Sequence, residues 1–433
     1  KQERLMRTRI LRTLAATATA ITIAAGVTSG AKADVASFYK GKIITMYISF
    51  SAGGGYDAYA RMIMRHMVRH IPGNPKGVAK QYTGAGGVRT LNALYNVFPQ
   101  DGTAIGQIGR SAIAQPLWGN KGAKFDGSKF KWLGSANTEY SLCVFWHQSK
   151  YKTTADLLTG TPAMGGVGIG SSIDVFTLLA NNLLGARIKL ITGYPGGADI
   201  NLAMQRKELD GRCGWSWSSI LSTAPTWLRD DKINLTLQYG LKKHPDLLQI
   251  PLITDLVKSE RDKQALKVHL APQVYGRPFA VGPKVPDDRY KALRTAFWKT
   301  LHDPVFLKDA KKRRLPITPT SGEDVDKLVK EIYALPKELL TYADKVGNSR
   351  DTTTVVKAVV PVETYQGKIT KVKRGGRRVS WKGASVSGKL RVSGRKTKIF
   401  VAGTKGKRKA LKAGMNCAFT VKGAQTALKI DCK

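Results

Sequence analysis

The sequence has none of the short motifs that mark the common nucleotide-binding and hydrolytic enzymes. It contains no GxxxxGK[ST] segment, no GxSxG segment, and no GxGxxG segment followed by an acidic residue. His66 and His70 share a helix face, but no glutamate stands between them, which favours surface histidines over a zinc site. These absences argue against catalysis, and we expect no cofactor and no metal.

Cysteine is scarce, with four residues in 433. None has CxxC or CxxH spacing, which argues against a structural zinc site. Cys143 and Cys213 lie in two strand-like segments of the middle region, and Cys417 and Cys432 close the C-terminal region. In an oxidising compartment, pairing by neighbourhood gives two disulfides, with free thiols as the alternative.

Long apolar runs are also missing. Four arginines within the first 12 residues precede an apolar run from Leu14 to Val27, and Ala31-Lys32-Ala33 fits a cleavage site. Because that run is too short to cross a bilayer, we expect residues 1–33 to be a secretory signal peptide. No later run is apolar enough to cross a membrane, so we expect an exported, periplasmic protein that begins at Asp34.

Acidic residues are few in the last fifth of the chain. The net charge is +41, and residues 348–433 hold 22 basic but only 3 acidic residues. Residues 34–347 hold 43 basic and 26 acidic residues. This asymmetry predicts two parts with different electrostatic roles.

Between Asp34 and Val346 strand-like and helix-like segments alternate, which predicts an α/β fold with parallel or mixed sheets. The length of this region favours two lobes. We assign residues 34–134 and 271–347 to lobe 1 and residues 135–270 to lobe 2, with the chain crossing near Gly134–Asn137 and Leu270–Tyr275. Strand-like runs are Ile43–Phe50, Ala104–Gly109, Lys131–Gly134, Leu142–His147, Ala163–Val167, Ile188–Ile191, Leu235–Tyr239 and Phe279–Gly282.

Residues 348–433 have a different pattern of apolar and polar residues. Short alternating runs are separated by Gly-Gly, Ser-Gly and Lys-Gly turns, and no helical period is evident. This pattern predicts a small basic all-β domain, barrel-like or a compact sandwich.

The most informative stretch runs from Ile43 to Met64. An apolar strand leads through Gly53-Gly54-Gly55 into a helix that opens near Asp57. Free amides and the positive end of the helix dipole make such a junction suitable for an anion. The alternative is that Asp57 caps its own helix and pairs with Arg61 one turn on.

Further glycine-rich loops precede other helices, at 83–87, 165–172 and 193–197. Several such loops in one α/β chain favour a small anionic ligand held in a cleft between lobes. Ser171 and Ser172 stand at a helix start, where a hydroxyl can serve either the helix or a ligand oxygen.

Six segments, in order, resemble the Bug-type extracytoplasmic solute receptors, the substrate-binding components of tripartite tricarboxylate transporters. The resemblance covers about residues 36–345. The segments are SFSAGGGYDAYAR (Ser49–Arg61), QYTGAGGVRTLNALYN (Gln81–Asn96), PQDGTAIG (Pro99–Gly106), GIGSSIDVF (Gly168–Phe176), YPGGADINLAMQRKELDGRCG (Tyr194–Gly214) and RPFAVGPKVPDD (Arg277–Asp288).

The resemblance implies a periplasmic-binding-protein (Venus flytrap) fold: two α/β lobes that close over one small carboxylate, with the basic β domain appended. It also implies ligand contacts from both lobes, made largely by backbone amides. Carried onto this sequence, the contacts are Gly53, Gly54, Gly55, Tyr56 and Asp57 from the first lobe, Gly168, Gly170, Ser171 and Ser172 from the second, and Gly86 and Tyr194 as additional contacts.

Two positions depart from the family pattern. Ser171 replaces the usual threonine, and Asp174 stands where the family has histidine. An Asp174 that faces the cleft would disfavour a second negative charge on the ligand and so favour a monocarboxylate or zwitterion. Alternatively, Asp174 points outward and has no bearing on specificity.

These patterns predict a periplasmic receptor that captures a small organic carboxylate and delivers it to integral-membrane transporter subunits. One alternative is an exported enzyme acting on a carboxylate. Another is an exported protein that binds an anionic envelope surface or another polyanion through residues 348–433. Because the protein is expected to be exported, nucleic acid is not the expected partner. The alternative interpretation of this tail is a basic, solvated surface with no partner.

Overall fold

The computed structural model describes residues 35–350, 355–357, 362–384, 387–394, 397–422 and 426–433. The expected signal peptide lies outside these residues. The described chain divides into two units: the first holds residues 35–198 and 207–356, and the second holds residues 199–206 and the described part of 357–433. Each unit is described separately.

The first unit contains two mixed sheets. In the first sheet the strands run in the order β11-β4-β10-β3-β1-β2. Strands β1, β2 and β3 are parallel, and β10 is antiparallel to β3 and β4. The strand bounds are β1 Ile43–Ile48, β2 Lys76–Gln81, β3 Ala104–Gln107, β4 Lys131–Ser135, β10 Pro278–Val281 and β11 Thr320–Ser321.

In the second sheet the strands run in the order β12-β7-β6-β8-β5-β9. The antiparallel strand β5 lies between β8 and β9. The bounds are β5 Ser141–Trp146, β6 Ala163–Gly165, β7 Lys189–Thr192, β8 Gly211–Ser216, β9 Ile233–Tyr239 and β12 Val355–Lys357. The chain passes from the first sheet to the second after β4 and returns before β10.

Helices cover the sheets because each has an apolar stripe. Residues of the helix at Gly55–Met67 and of the helix at Asp287–His302 share one hydrophobic cluster with β1. The helix bounds are α1 Gly55–Met67, α2 Val88–Asn96, α3 Thr154–Thr159, α4 Ser172–Leu184, α5 Gly197–Gln205, α6 Trp217–Thr223, α7 Pro225–Arg229, α8 Ile253–Leu256, α9 Glu260–Leu270, α10 Asp287–His302, α11 Pro304–Lys312, α12 Gly322–Tyr333 and α13 Lys337–Asn348.

Helix α13 packs against helices of the second lobe, whereas the sequence places residues 271–347 in lobe 1. Its Ala343 and Val346 belong to the hydrophobic cluster that contains Phe176 and Leu266 of the second lobe. The apolar stripe of α13 is thus buried against α4 and α9, so the second lobe includes the end of the receptor region.

The expected disulfides are confirmed, with the expected pairing. Cys143 of β5 is bonded to Cys213 of β8, and Cys417 is bonded to Cys432. Each bridge joins neighbouring strands of one sheet, and the paired cysteines are 70 and 15 residues apart in sequence.

The second unit contains an all-β domain, as the sequence predicts. In its described part the strands run in the order β15-β14-β13-β18-β19-β16-β17, and a further pairing of β15 with β19 curls the sheet toward a barrel. Trp381, Phe419 and Ile430 lie in its buried core. The bounds are β13 Val362–Lys373, β14 Arg378–Lys382, β15 Ser387–Arg391, β16 Lys398–Val401, β17 Thr404–Lys405, β18 Asn416–Lys422 and β19 Thr426–Cys432.

Candidate ligand-binding site between the two lobes

The glycine loop after β1 is closed by its own aspartate. Asp57 Oδ2 accepts a hydrogen bond from the Gly53 amide at 3.0 Å, and Gly53 has a φ of +88°. Asp57 Oδ1 accepts from Arg61 Nε at 2.7 Å and from Gln81 Nε2 at 2.6 Å. Asp57 therefore pairs with Arg61, as the alternative interpretation proposed, and shapes the loop, while Gly54 occupies the N-cap position of α1.

Gly55 allows the second lobe to approach the start of α1. A Cβ atom at Gly55 would lie 1.9 Å from the hydroxyl oxygen of Ser219, which is in α6. At the neighbouring Gly54 a Cβ atom would meet nothing closer than the Ser51 carbonyl at 3.8 Å. Of these two glycines, Gly55 is the one that the packing between lobes requires.

The loop before α4 is organised around Asp174. This side chain is fully buried, and Oδ1 accepts from the amides of Val167 at 2.7 Å and Gly168 at 3.0 Å. Oδ1 also accepts from Ser171 Oγ at 3.1 Å, and Oδ2 accepts from Thr192 Oγ1 at 2.5 Å. Asp174 is therefore neither exposed nor directed at a ligand. Its Oδ1 holds the glycine loop, and its Oδ2 also forms an ion pair with Arg350 at 3.3 Å.

Ser171 serves the helix in this structure. Its Oγ accepts from the Asp174 amide at 3.2 Å, which is the N-cap interaction of α4. Ser172 is the first residue of that helix and is 9% exposed. Gly168 and Gly170 both have positive φ values, of +136° and +81°, which glycine tolerates best.

The glycine loops of the two lobes touch. Gly86 has a φ of +61°, and a Cβ atom there would lie 2.4 Å from the carbonyl oxygen of Ile169. On the other side, a Cβ atom at Gly168 would lie 3.3 Å from the Gly86 amide nitrogen. Two of the expected ligand-contact loops are therefore brought together.

Tyr194 lies in a third loop of this junction. A Cβ atom at the nearby Gly196 would lie 2.3 Å from Ser51 Oγ in the first lobe. Tyr194 is 9% exposed, and burial, together with the charge of Glu208, raises the pKa of its phenol. The phenol thus remains protonated and can donate a hydrogen bond at neutral pH.

Arg110, which sequence analysis missed, is buried between the lobes and only 1% exposed. It follows the end of β3. Its Nη2 donates to Ser141 Oγ at 2.8 Å, and its Nη1 donates to Ser216 Oγ at 3.2 Å and to the Tyr56 hydroxyl at 3.3 Å. Ser141 and Ser216 belong to the second sheet, so this guanidinium bridges the two lobes.

No carboxylate among the described residues lies within ion-pair distance of Arg110, and its Nε has no hydrogen-bond partner there. A buried cation is costly unless an anion compensates it. The one available signal was a lone arginine directly after a buried strand, within IGRSAIA.

A second buried arginine, Arg277, is compensated. Its Nε donates to Glu139 Oε1 at 2.8 Å, and both side chains are 1% exposed. Its Nη2 donates to Ser218 Oγ at 2.8 Å and to Ser219 Oγ at 2.7 Å. This pair holds α6 in place and adds no net charge to the junction.

The described residues contain no cluster of three or more side chains suited to a metal ion. Within that same part of the chain, none of the helices combines the length and the apolar character needed to cross a bilayer.

No protein-family model matches this chain, and no curated protein sequence matches it significantly. Similar solved structures include the periplasmic binding protein BugD, 18% identical, covering 71% of this chain and 99% of BugD with a TM-score of 0.57. The R. palustris protein Rpa4515, solved with adipate, is 16% identical, covering 71% of this chain and 98% of that protein with a TM-score of 0.56.

MatC from Rhodopseudomonas palustris, solved with bound malate, is 16% identical. The match covers 70% of this chain and 99% of MatC, with a TM-score of 0.54. At these identities the likeness establishes the fold, and it confirms the fold that the sequence resemblance implied. This chain has the two-lobed fold of the periplasmic binding protein BugD, with a basic β domain added at its C-terminal end.

Proposed function

We propose that this protein is a periplasmic receptor that binds a small organic monocarboxylate between its two lobes and delivers it to a membrane transporter. The fold supports the receptor role, since BugD is a periplasmic binding protein and MatC and Rpa4515 were solved with malate and adipate. The observation that carries the proposal is the uncompensated guanidinium of Arg110 between the lobes.

Arg110 and its neighbours form a suitable set of groups for one carboxylate. The hydroxyls of Ser141, Ser216 and Tyr56 accept hydrogen bonds from the guanidinium in this structure. Each hydroxyl can rotate and donate instead, so a carboxylate beside Arg110 would receive donors from both lobes. Ionised partners make such hydrogen bonds short and strong.

The charge balance sets the expected number of carboxylates. Arg277 is already neutralised by Glu139, and Asp174 is paired with Arg350 at 3.3 Å in addition to its loop contacts. Arg110 therefore accounts for one negative charge on the ligand. The proposed ligand differs in this respect from malate and adipate, which carry two carboxylates each.

The glycine loops have a defined role in this proposal. The amides at the start of α1 have no partners within the helix and carry the positive end of its dipole. Gly55, Gly86 and Gly168 permit the lobes to close to contact distance. Closure on the ligand then buries the Arg110–carboxylate pair and forms the surface that the transporter recognises.

A thermal unfolding panel tests this function. The full protein is heated with 1 mM acetate, butyrate, benzoate, malate, adipate or citrate. A monocarboxylate with micromolar affinity should stabilise the folded protein by about 4 kcal/mol. If the dicarboxylates or citrate stabilise it most, the single-charge proposal is wrong although the receptor role stands. If no carboxylate stabilises it, the receptor proposal is wrong.

A further inference from the structure

One side of the β13–β14–β15 sheet carries basic residues in register. The antiparallel pairing places Lys373 opposite Arg378, and Arg378 opposite Arg391. Lys368 likewise lies opposite Lys382. These residues and Lys371 are all exposed, whereas the alternating residues Ile369, Val379 and Leu390 point into the buried core. We call Lys368, Lys371, Lys373, Arg378, Lys382 and Arg391 the basic face.

The basic face has almost no acidic residues to balance it. Between residues 364 and 430 the sequence has 19 lysines and arginines and no aspartate or glutamate. Asp431, just beyond this range, is paired with Lys429 at 2.8 Å. Ordinary solvated surfaces mix charges of both signs, which limits repulsion between neighbours.

Like charges directly opposite each other in a sheet are destabilising. Here the repulsion is repeated at Lys368–Lys382 and along the row Lys373–Arg378–Arg391. The folding of the domain gains nothing from this arrangement. An external polyanion would relieve the repulsion, and its charges would meet cations that the sheet holds in fixed positions.

The shape and chemistry of the basic face indicate the kind of polyanion. Adjacent strands are about 4.8 Å apart and alternate residues along a strand about 6.8 Å apart, so the cations form a shallow grid. In the described part of this domain, Val362 is the only large hydrophobic residue that is mostly exposed to solvent. Trp381 and Phe419 are buried in the core. The face therefore offers neither aromatic surfaces for stacking on bases nor an apolar side for entering a membrane.

We propose that the basic face of the C-terminal domain is a docking surface for a linear anionic polysaccharide. The sheet supplies charge contacts at regular spacing, and carboxylates or sulfates along a sugar chain supply the matching anions. This surface is independent of the small-molecule site, and its test does not depend on the identity of that ligand.

The test uses the full protein with polygalacturonate as the probe, in buffer containing 150 mM salt. One variant removes the row across the three strands: Lys373→Gln, Arg378→Gln and Arg391→Gln. The matched control removes the same charge from exposed lysines outside the face: Lys398→Gln, Lys405→Gln and Lys433→Gln. A 20-base-pair DNA duplex and phosphatidylglycerol vesicles are tested as competing classes of partner at equal charge concentration.

We expect the row variant to lose about 10-fold or more in affinity for polygalacturonate, since each of three exposed pairings contributes modestly. The control should change less than about 3-fold, because diffuse surface charge is largely screened at this salt concentration. The melting temperature of the row variant should stay the same or rise, since repulsion is removed. That result would show that lost affinity is not caused by unfolding.

Three results would overturn the proposal. The first is no binding of polygalacturonate by the unaltered protein. The second is an equal loss in the row variant and in the control, which would mean that total charge alone determines binding. The third is tighter, row-dependent binding of the duplex or the vesicles, which would assign the surface to nucleic acid or to anionic lipid instead.

Discussion

Arg277 and Glu139 form a buried ion pair at the junction of the two lobes, with Nε and Oε1 2.8 Å apart and both side chains 1% exposed. Ser218 donates a further hydrogen bond to the same carboxylate oxygen. Arg110, in the same region, has only hydroxyl partners among the described residues. Arg277 therefore stabilises the fold, whereas Arg110 is available to a ligand.

The Glu139→Gln substitution should destabilise the protein strongly. It leaves the Arg277 guanidinium buried without its counter-charge, which costs about 3–5 kcal/mol in comparable pairs. Urea unfolding measures the change. Asp287→Asn, which breaks the exposed Lys131–Asp287 pair, is the matched control and should have little effect. A loss no greater than that of the control would show that Glu139 does not compensate Arg277.

The Asp174→Asn substitution should loosen the glycine loop before α4. An amide can accept at only one of the two oxygen positions, so either Thr192 and Arg350 or the amides of Val167 and Gly168 lose their acceptor. We expect a loss of about 2 kcal/mol in the free energy of unfolding, since each buried donor left unpaired costs about 1–3 kcal/mol. Asp230→Asn, at an exposed position beside Arg229, is the control for removing one carboxylate. Unchanged stability of the Asp174 variant would contradict the supporting role of this carboxylate.

The Gly55→Ala substitution should oppose closure of the lobes. Its Cβ atom would lie 1.9 Å from Ser219 Oγ, so α6 must move away from α1. We expect weaker ligand binding and a larger radius of gyration by small-angle X-ray scattering. Gly54→Ala is the matched control, because at that position the nearest atom is at 3.8 Å and φ is −85°. Equal effects of the two substitutions would mean that backbone conformation, not contact between lobes, explains the result.

Protonation of His269 should lower the stability of the protein in mild acid. It is 6% exposed, its Nε2 donates to the Ala343 carbonyl at 2.7 Å, and burial lowers the pKa of its imidazole from 6.5 to about 4. Because the unfolded chain binds the proton more tightly, stability falls as the pH drops from about 6.5 to about 4. The full loss attributable to this group is about 3 kcal/mol.

Urea unfolding at pH 7.0, 5.5 and 4.5 checks this expectation. The His269→Leu variant should have a flatter pH dependence than the unaltered protein, whatever its stability at pH 7.0. His302→Gln, which alters an exposed histidine, serves as the control and should retain the original slope. An unchanged slope in the His269 variant would mean that other groups cause the acid sensitivity.

Much of the fold could be predicted because local patterns agree with the tertiary structure. The strand–glycine–helix junction at Ile43–Met64 has the same form in the sequence and in the structure, since glycine spacing and apolar periodicity are local properties. The edge strand Lys76–Gln81 was missed because its residues are mostly exposed and do not alternate between apolar and polar. The position of α13 was missed because an apolar stripe does not specify which neighbouring helices cover it.

The site was harder to predict. Whether Asp174 faces a cleft or its own loop depends on donors from Val167 and Thr192 that only the folded chain brings together. Arg110 belongs to no motif, and its significance comes from being buried next to hydroxyls of the other lobe without an acidic partner among the described residues. Charge compensation is a long-range property that spacing along the sequence does not reveal.

The most direct test of the account is to measure ligand affinity and unliganded stability together in the Arg110→Met variant, using the best monocarboxylate from the thermal panel. We expect affinity by calorimetry to fall about 100-fold, since removing one partner of a buried charge pair costs about 2–5 kcal/mol. The unliganded free energy of unfolding should stay within about 1 kcal/mol, because an apolar side chain replaces an uncompensated charge. Arg110→Lys, which keeps the charge, should retain part of the affinity. Unchanged affinity with a large loss of stability would contradict the account, because Arg110 would then serve the fold and not the ligand.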